Sequence, residues 1–137
     1  MQRVLILCTG NSARSQMAEG LLRHEAGDRF DVFSAGTGPS QVRPEAVAAM
    51  REIGIDISSH RSKSVDEFQA LRFDTVITVC DNARESCPVF PAPTQRIHWS
   101  IDDPAAVEGS EEQRLAAFRR IRDEIRGRLQ GFAQGRT

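Results

Sequence analysis

Residues 3–22 read RVLILCTGNSARSQMAEGLL, and this stretch decides the fold. An apolar run, Val4 to Leu7, ends on Cys8. A small polar turn follows, Thr9, Gly10, Asn11, Ser12 and Ala13, and then Arg14 and Ser15. Met17, Ala18, Leu21 and Leu22 fall at helical spacing, so the pattern predicts strand, loop and helix. A loop that opens a helix N-terminus presents free backbone N–H groups and the positive end of the helix dipole, which attract anions. Five residues separate Cys8 from Arg14, close enough for both side chains to face one bound oxyanion. The planar guanidinium matches two oxygens of a tetrahedral anion, and Gly10 eases the tight bend. Thr9, Gly10, Asn11, Ser12, Ala13, Arg14 and Ser15 are thus candidate oxyanion-binding residues. Positive surroundings favour thiolate over thiol, so Cys8 is expected to be a nucleophile of lowered pKa. The Ser15 hydroxyl is placed to donate to its sulfur.

Taken alone, Cys-x5-Arg fits equally well a buried strand-end cysteine followed by a helix arginine. The flanking strand and helix, with serine directly after Arg14, favour the anion site. No Gly-Lys-Ser/Thr follows the turn, which excludes an ATP-type phosphate loop.

Outward from this stretch, the remaining chain alternates strand and helix patterns. FDVFS, Phe30 to Ser34, reads as a second strand ending at the Ala35-Gly36 turn. Pro44 suits a first helical turn. Ala46, Val47, Met50 and Ile53 form one apolar face, stopped by Gly54. Ser64 with Glu67 forms a capping-box pattern that predicts a helix from Val65. TVITV, Thr75 to Val79, is β-branched throughout and reads as a buried strand ending on Cys80. Asp81 or Asn82 is placed to cap a short helix through Ser86. Arg96 to Trp99 reads as the last strand. Ser110 with Gln113 is another capping box, and Leu115, Phe118, Ile121, Ile125, Leu129 and Phe132 line one face of the final helix. The expected fold is α/β: one domain over residues 1–137, a parallel four-stranded sheet with helices on both faces. Cys8 and Cys80 then share the carboxyl edge of the sheet, where such folds place their sites.

The bulk numbers limit the function classes. A net charge of −1 argues against general binding to nucleic acid or to an anionic membrane. No apolar stretch is long enough to span a bilayer, and no signal-peptide pattern precedes the first strand. A cytoplasmic protein, monomeric, is expected. Three cysteines without a CxxC suit neither a disulfide framework nor a zinc site with paired close ligands. His24, His60 and His98 are scattered, with structural or surface roles as the default. Of 18 basic residues only Lys63 is a lysine.

CTGNSARSQMAEG, Cys8 to Gly20, resembles the thioredoxin-coupled arsenate reductases, which share the low-molecular-weight tyrosine phosphatase fold. The resemblance extends through SAG at Ser34, IDIS at Ile55, the Cys80/Cys87 pair and HWSIDDPA at His98, so it covers nearly the whole chain. It implies an arsenate reductase with three working thiols. Cys8 attacks arsenate, Cys80 resolves the adduct as a Cys8–Cys80 disulfide, and Cys87 passes it on as Cys80–Cys87 to thioredoxin. No bound cofactor is implied. If residues 80–87 were helical, the two α-carbons would lie on the order of 10 Å apart. A disulfide needs roughly 4.4–6.8 Å, so a segment at about 81–95 is expected to rearrange on oxidation. The resemblance also makes Asp103, directly before Pro104, the general acid, while read alone Asp102 is the better candidate for a helix cap.

Two departures matter. Phosphatases of this fold usually carry an aromatic after Asp-Pro; here Ala105 and Ala106 follow and the chain lacks tyrosine, which favours a small inorganic anion. Some of the reductases hold a potassium ion with residues matching Asn11, Glu19 and Ser34 plus an aspartate, a position occupied here by Lys63. An ammonium paired with Glu19 is expected instead, with no potassium site. The alternative function is a low-molecular-weight protein tyrosine phosphatase or small-phosphoester phosphatase, with Cys80 and Cys87 idle. Weak phosphatase side activity would be compatible with the reductase, since the anion loop is shared. A phosphoryl carrier would have no need of Asp103, nor a redox sensor of an oxyanion loop.

Overall fold

The computed structural model describes residues 1–81 and 94–135. Four parallel strands, β1 (Gln2–Cys8), β2 (Phe30–Gly36), β3 (Thr75–Thr78) and β4 (Gln95–His98), form one sheet in the order β2-β1-β3-β4. Among the described residues, three α-helices accompany them: α1 (Arg14–Ala26), α2 (Pro44–Arg51) and α3 (Glu111–Ala133). This is the expected α/β class. The central strands read as uninterrupted apolar or β-branched runs because both faces of the sheet are covered. Val4 to Cys8 and Thr75 to Thr78 are all buried.

Adjacent strand residues point to opposite faces, and β2 shows what lies on each. Ser34 donates to Glu19 of α1 at 2.5 Å. Phe33 packs on the other face against Phe68 and Phe73, with ring centroids 5.6 Å away in both cases. On the α1 face the helices pack closely at Gly20. A Cβ there would fall 2.8 Å from Ile57 Cγ2 and 3.2 Å from Met50 Cε, so any larger residue would force those side chains to shift. Across α2 and α3, the buried Arg122 donates to the Ala49 carbonyl at 2.8 Å and meets Glu52 at 3.0 Å. Arg119 grips the same carboxylate and, with Arg122, holds Glu52 below its usual pKa range.

Both expected capping boxes can be compared with the structure. Ser110 and Gln113 form theirs reciprocally, at 3.1 and 2.8 Å, and α3 runs 23 residues from it. Ser64 and Glu67 do not. Ser64 Oγ accepts from the Asp66 amide at 3.1 Å, and the helix expected from Val65 is a single 3-10 turn, Val65–Phe68. The reason is local. Both oxygens of Glu67 are taken by the Arg61 fork at 2.7 and 3.0 Å, so the carboxylate cannot reach back to the cap. The expected last strand lies one residue earlier than predicted, at Gln95–His98. The helix expected through Ser86, the rearranging segment and Cys87 fall outside the described residues, apart from Asp81, Thr94 and Gln95.

Candidate active site

At the carboxyl edge of β1, the chain turns through residues 9–13 and enters α1 at Arg14. No side chain caps this helix. Its first turn therefore faces the loop with amides that no side chain satisfies. The outer side of the loop is fully engaged. Carbonyls of Cys8, Thr9, Gly10 and Ser12 accept from the amides of Thr37, Gly38, Ser40 and Arg43 at 3.2, 2.9, 3.1 and 2.8 Å. A peptide's N–H and C=O point in opposite directions. Binding the carbonyls to the 37–43 wall therefore keeps negative oxygens away from the inner side, where an anion would sit. The wall lies close enough to require Gly36: a Cβ there would come 2.4 Å from the Thr9 carbonyl oxygen and 2.9 Å from the Asn11 nitrogen.

Cys8 is 2% exposed at this edge. Its sulfur lies 2.8 Å from Ser15 Oγ and accepts from the Asn11 amide at 3.2 Å. Donors aimed at a sulfur stabilise negative charge there. Asn11 has the left-handed φ of 47° and is the one described non-glycine residue with a positive φ. It tolerates that conformation because its side chain is bonded on both ends. Nδ2 donates to Ser15 Oγ at 2.7 Å and to Ser34 Oγ at 3.0 Å, while Oδ1 accepts from Gln16 Nε2 at 2.9 Å and from the Lys63 amide at 2.8 Å. Because Asn11 Nδ2 donates to Ser15 Oγ, the serine's own proton is left for Cys8.

Two residues of this network had no functional reading in the sequence. Gln16 is wholly buried and ties the Asn11 side chain and carbonyl to the Arg61 carbonyl. His60 places Nδ1 3.0 Å from Gln16 Oε1, and burial pushes its pKa down. The contacts that Gln16 makes with Arg61 and His60 span 45 and 44 residues of chain, beyond the reach of any local signal.

Behind the loop, Glu19 is buried and meets Arg23 at 2.9 Å and Lys63 Nζ at 3.5 Å. The ammonium also lies 3.5 Å from Ser34 Oγ and 3.1 Å from the Arg61 carbonyl. Lys63 is thus turned inward, its side chain only 12% exposed. The ammonium expected beside Glu19 is in place, and together with Arg23 it sets positive charge against the carboxylate. Among the described residues, no group of three or more His, Cys, Asp or Glu side chains is arranged to hold a metal ion.

Arg14 is partly buried and donates through Nη1 to the carbonyl of Ile101 at 2.8 Å. This joins the oxyanion loop to the segment that carries Asp102 and Asp103. The helix cap expected at Asp102 belongs to Asp103, whose Oδ1 accepts from the Ala105 amide at 3.0 Å ahead of the turn Pro104–Ala106. Proline at the first position of that turn makes its predecessor the cap, which is why the role falls one residue later. Asp103 is exposed to solvent. Cys80, 6% exposed, ends up beside the loop with its sulfur 3.3 Å from Thr9 Oγ1. Cys8 and Cys80 are both free thiols.

Residues 3–135 match the family described as low molecular weight phosphotyrosine protein phosphatase. This chain belongs to that family. An arsenate reductase of Halalkalibacterium halodurans is 49% identical over 131 residues, 96% of this chain and 94% of its own length. A solved structure described as an arsenate reductase in the phosphate binding state superposes with a TM-score of 0.79 at 34% identity, covering all of both chains. A thioredoxin-dependent arsenate reductase of Corynebacterium glutamicum superposes at 0.73 with 28% identity, covering 98% of this chain and 61% of that one. In no described helix is there a stretch long and apolar enough to cross a membrane.

Proposed function

We propose that this chain, acting as one domain over residues 1–137, reduces arsenate to arsenite with electrons from thioredoxin. The observation that carries the reading is the second thiol. A phosphatase needs Cys8, Arg14 and an acid, but it has no use for a buried free cysteine set against Thr9 of the same loop. The kinship with arsenate reductases supports it.

Arsenate binds in the loop of residues 9–15, with Arg14 exchanging its Ile101 carbonyl for anion oxygens. The Cys8 thiolate attacks arsenic and a sulfur–arsenic bond forms. An arsenic–oxygen bond breaks, and the oxygen leaves as water with a proton from Asp103. The Cys80 thiolate then attacks Cys8 Sγ. A sulfur–sulfur bond forms, the sulfur–arsenic bond breaks, and its electron pair stays on arsenic. Arsenic(V) becomes arsenic(III) while two thiols become a disulfide, so the electrons balance. Cys87 attacks Cys80 and releases Cys8. Thioredoxin then reduces Cys80–Cys87, supplying two electrons. Lys63 takes the place of a bound cation, so no potassium is required.

The test is arsenate-dependent NADPH oxidation in the presence of thioredoxin and its reductase. Wild type is expected to turn over, and Cys8→Ser, Cys80→Ser and Cys87→Ser each to stop. Hydrolysis of a phosphoester abolished by Cys8→Ser alone, with no response to arsenate, would overturn the reading in favour of a phosphatase.

A further inference from the structure

Cys80 sits between two tethers. Before it, the backbone is held in the sheet: the Val79 amide donates to the Leu7 carbonyl at 2.9 Å, and the Ile101 amide to the Val79 carbonyl at 3.3 Å. After it, Asp81 is tied back by its side chain. A single carboxylate oxygen, Oδ1, receives His98 Nε2 at 2.8 Å and Ser100 Oγ at 3.2 Å. His98 is fixed in turn, with Nδ1 2.7 Å from Thr78 Oγ1 on the neighbouring strand. Facing a carboxylate, Nε2 carries a proton, and in the neutral ring Nδ1 accepts from the Thr78 hydroxyl. The result is a chain of polar contacts, Thr78–His98–Asp81–Ser100, that bridges β3 and the end of β4 directly beside Cys80. The sequence assigned His98 only a structural or surface role. None of these four residues is part of the oxyanion loop.

The geometry points to His98 and Asp81 as positioning residues that hold the Cys80 sulfur against Thr9, ready to attack Cys8. This inference rests on the relay proposed above. Their effect falls on one step, formation of the Cys8–Cys80 disulfide with release of arsenite. The preceding attack of Cys8 on arsenate is served by other groups: Ser15, Asn11 and Arg14. The physical basis is orientation. A nucleophile confined near its target has part of its entropy cost already met, and a displacement of about 1 Å can slow such a step by up to about a hundred-fold. His98 donates through a side chain anchored at both nitrogens, so the carboxylate it holds has little freedom to carry Cys80 away.

The experiment is a single-turnover reaction of the full chain with arsenate, quenched with a thiol-blocking reagent. Oxidation of Cys80, as Cys8–Cys80 or its successor Cys80–Cys87, is followed by peptide mapping, and arsenite release in parallel. Independently, protection of Cys8 from iodoacetamide by inorganic phosphate reports on the oxyanion loop. His98→Ala and Asp81→Ala are expected to slow disulfide formation about ten-fold or more while phosphate protection stays within about two-fold of wild type. His98→Gln, which retains a donor toward Asp81, is expected to recover most of the rate. Wild-type rates in both alanine variants would overturn the inference. Equal loss of disulfide formation and phosphate protection would overturn it as well, by marking a general structural defect. If the wild type itself forms neither a Cys8–Cys80 nor a Cys80–Cys87 disulfide, the relay fails and the positioning role fails with it. That result is distinguishable, since it is seen before any variant is made.

Discussion

The Arg14 guanidinium donates to the Ile101 carbonyl at 2.8 Å, bridging the mouth of the oxyanion loop to the segment that carries Asp103. The arginine is thereby held by a neutral acceptor. In the proposed reaction an oxyanion offers a charged acceptor in exchange, which makes stronger hydrogen bonds than a carbonyl.

Arg14→Lys is expected to lower kcat/KM for arsenate by about two orders of magnitude, because an ammonium keeps the charge but not the fork. The corresponding loss is roughly 3 kcal/mol of transition-state stabilisation. Steady-state kinetics with thioredoxin and its reductase measures it. Arg14→Lys within about two-fold of wild type would mean that the guanidinium does not engage the anion.

Ser15 Oγ stands 2.8 Å from Cys8 Sγ. Removing that hydroxyl in Ser15→Ala deletes a donor to the sulfur and leaves Asn11 Nδ2 without one of its acceptors. Alkylation of Cys8 by iodoacetamide at neutral pH is expected to slow by several-fold. The melting temperature is expected to fall by a few degrees, consistent with the loss of about 1–2 kcal/mol at a buried polar network.

Gly36→Ala places a methyl group against two backbone atoms, the Thr9 oxygen and the Asn11 nitrogen, which cannot yield as a flexible side chain would. Destabilisation of roughly 1–3 kcal/mol is expected, together with loss of phosphate binding as the loop is displaced. Thermal unfolding and phosphate protection of Cys8 read the two effects separately.

His60 gives a pH dependence with a definite sign. Burial, the largest cause, depresses its folded-state pKa below the usual value of about 6.5. The unfolded chain then binds a proton that the folded chain refuses. The stability His60 contributes is present above about pH 6.5 and is lost as the pH falls below it. His60→Asn, which keeps a donor for Gln16, is expected to flatten the fall in melting temperature between pH 7 and pH 5 relative to wild type. An unchanged slope would show that His60 is not the responsible group.

Because the Lys63 ammonium already meets Glu19 and Ser34, arsenate reduction by the wild type is expected to differ by less than about two-fold between potassium and sodium salts at equal ionic strength. A several-fold preference for potassium would contradict the Lys63 reading.

Local pattern carries this chain a long way. The apolar run before Cys8, the helical spacing after Arg14, the β-branched TVITV and the Ser110 box are near-neighbour signals, and each element formed within a residue or two of its expected bounds. Where local pattern failed, a near neighbour outside the motif had intervened. Arg61 claimed Glu67 and left Ser64 with one 3-10 turn in place of a helix. Pro104 moved the cap from Asp102 to Asp103.

By itself, then, the sequence determined the alternating α/β order and the position of Cys8 and Arg14 around one loop. These follow from spacing along a strand or helix, which the backbone enforces whatever else the chain does. Only the tertiary structure decided which groups secure that loop. Gln16 and the Lys63 backbone amide hold Asn11, His60 meets Gln16, His98 reaches Asp81, and Gly36 makes room for the Thr9 carbonyl. Those contacts span 5 to 52 residues of chain, with the key ones arising where β-strands bring separate loops to one edge. Closing such distances is the work of burying the sheet, and no periodicity in the sequence records which polar side chains will meet once it is done.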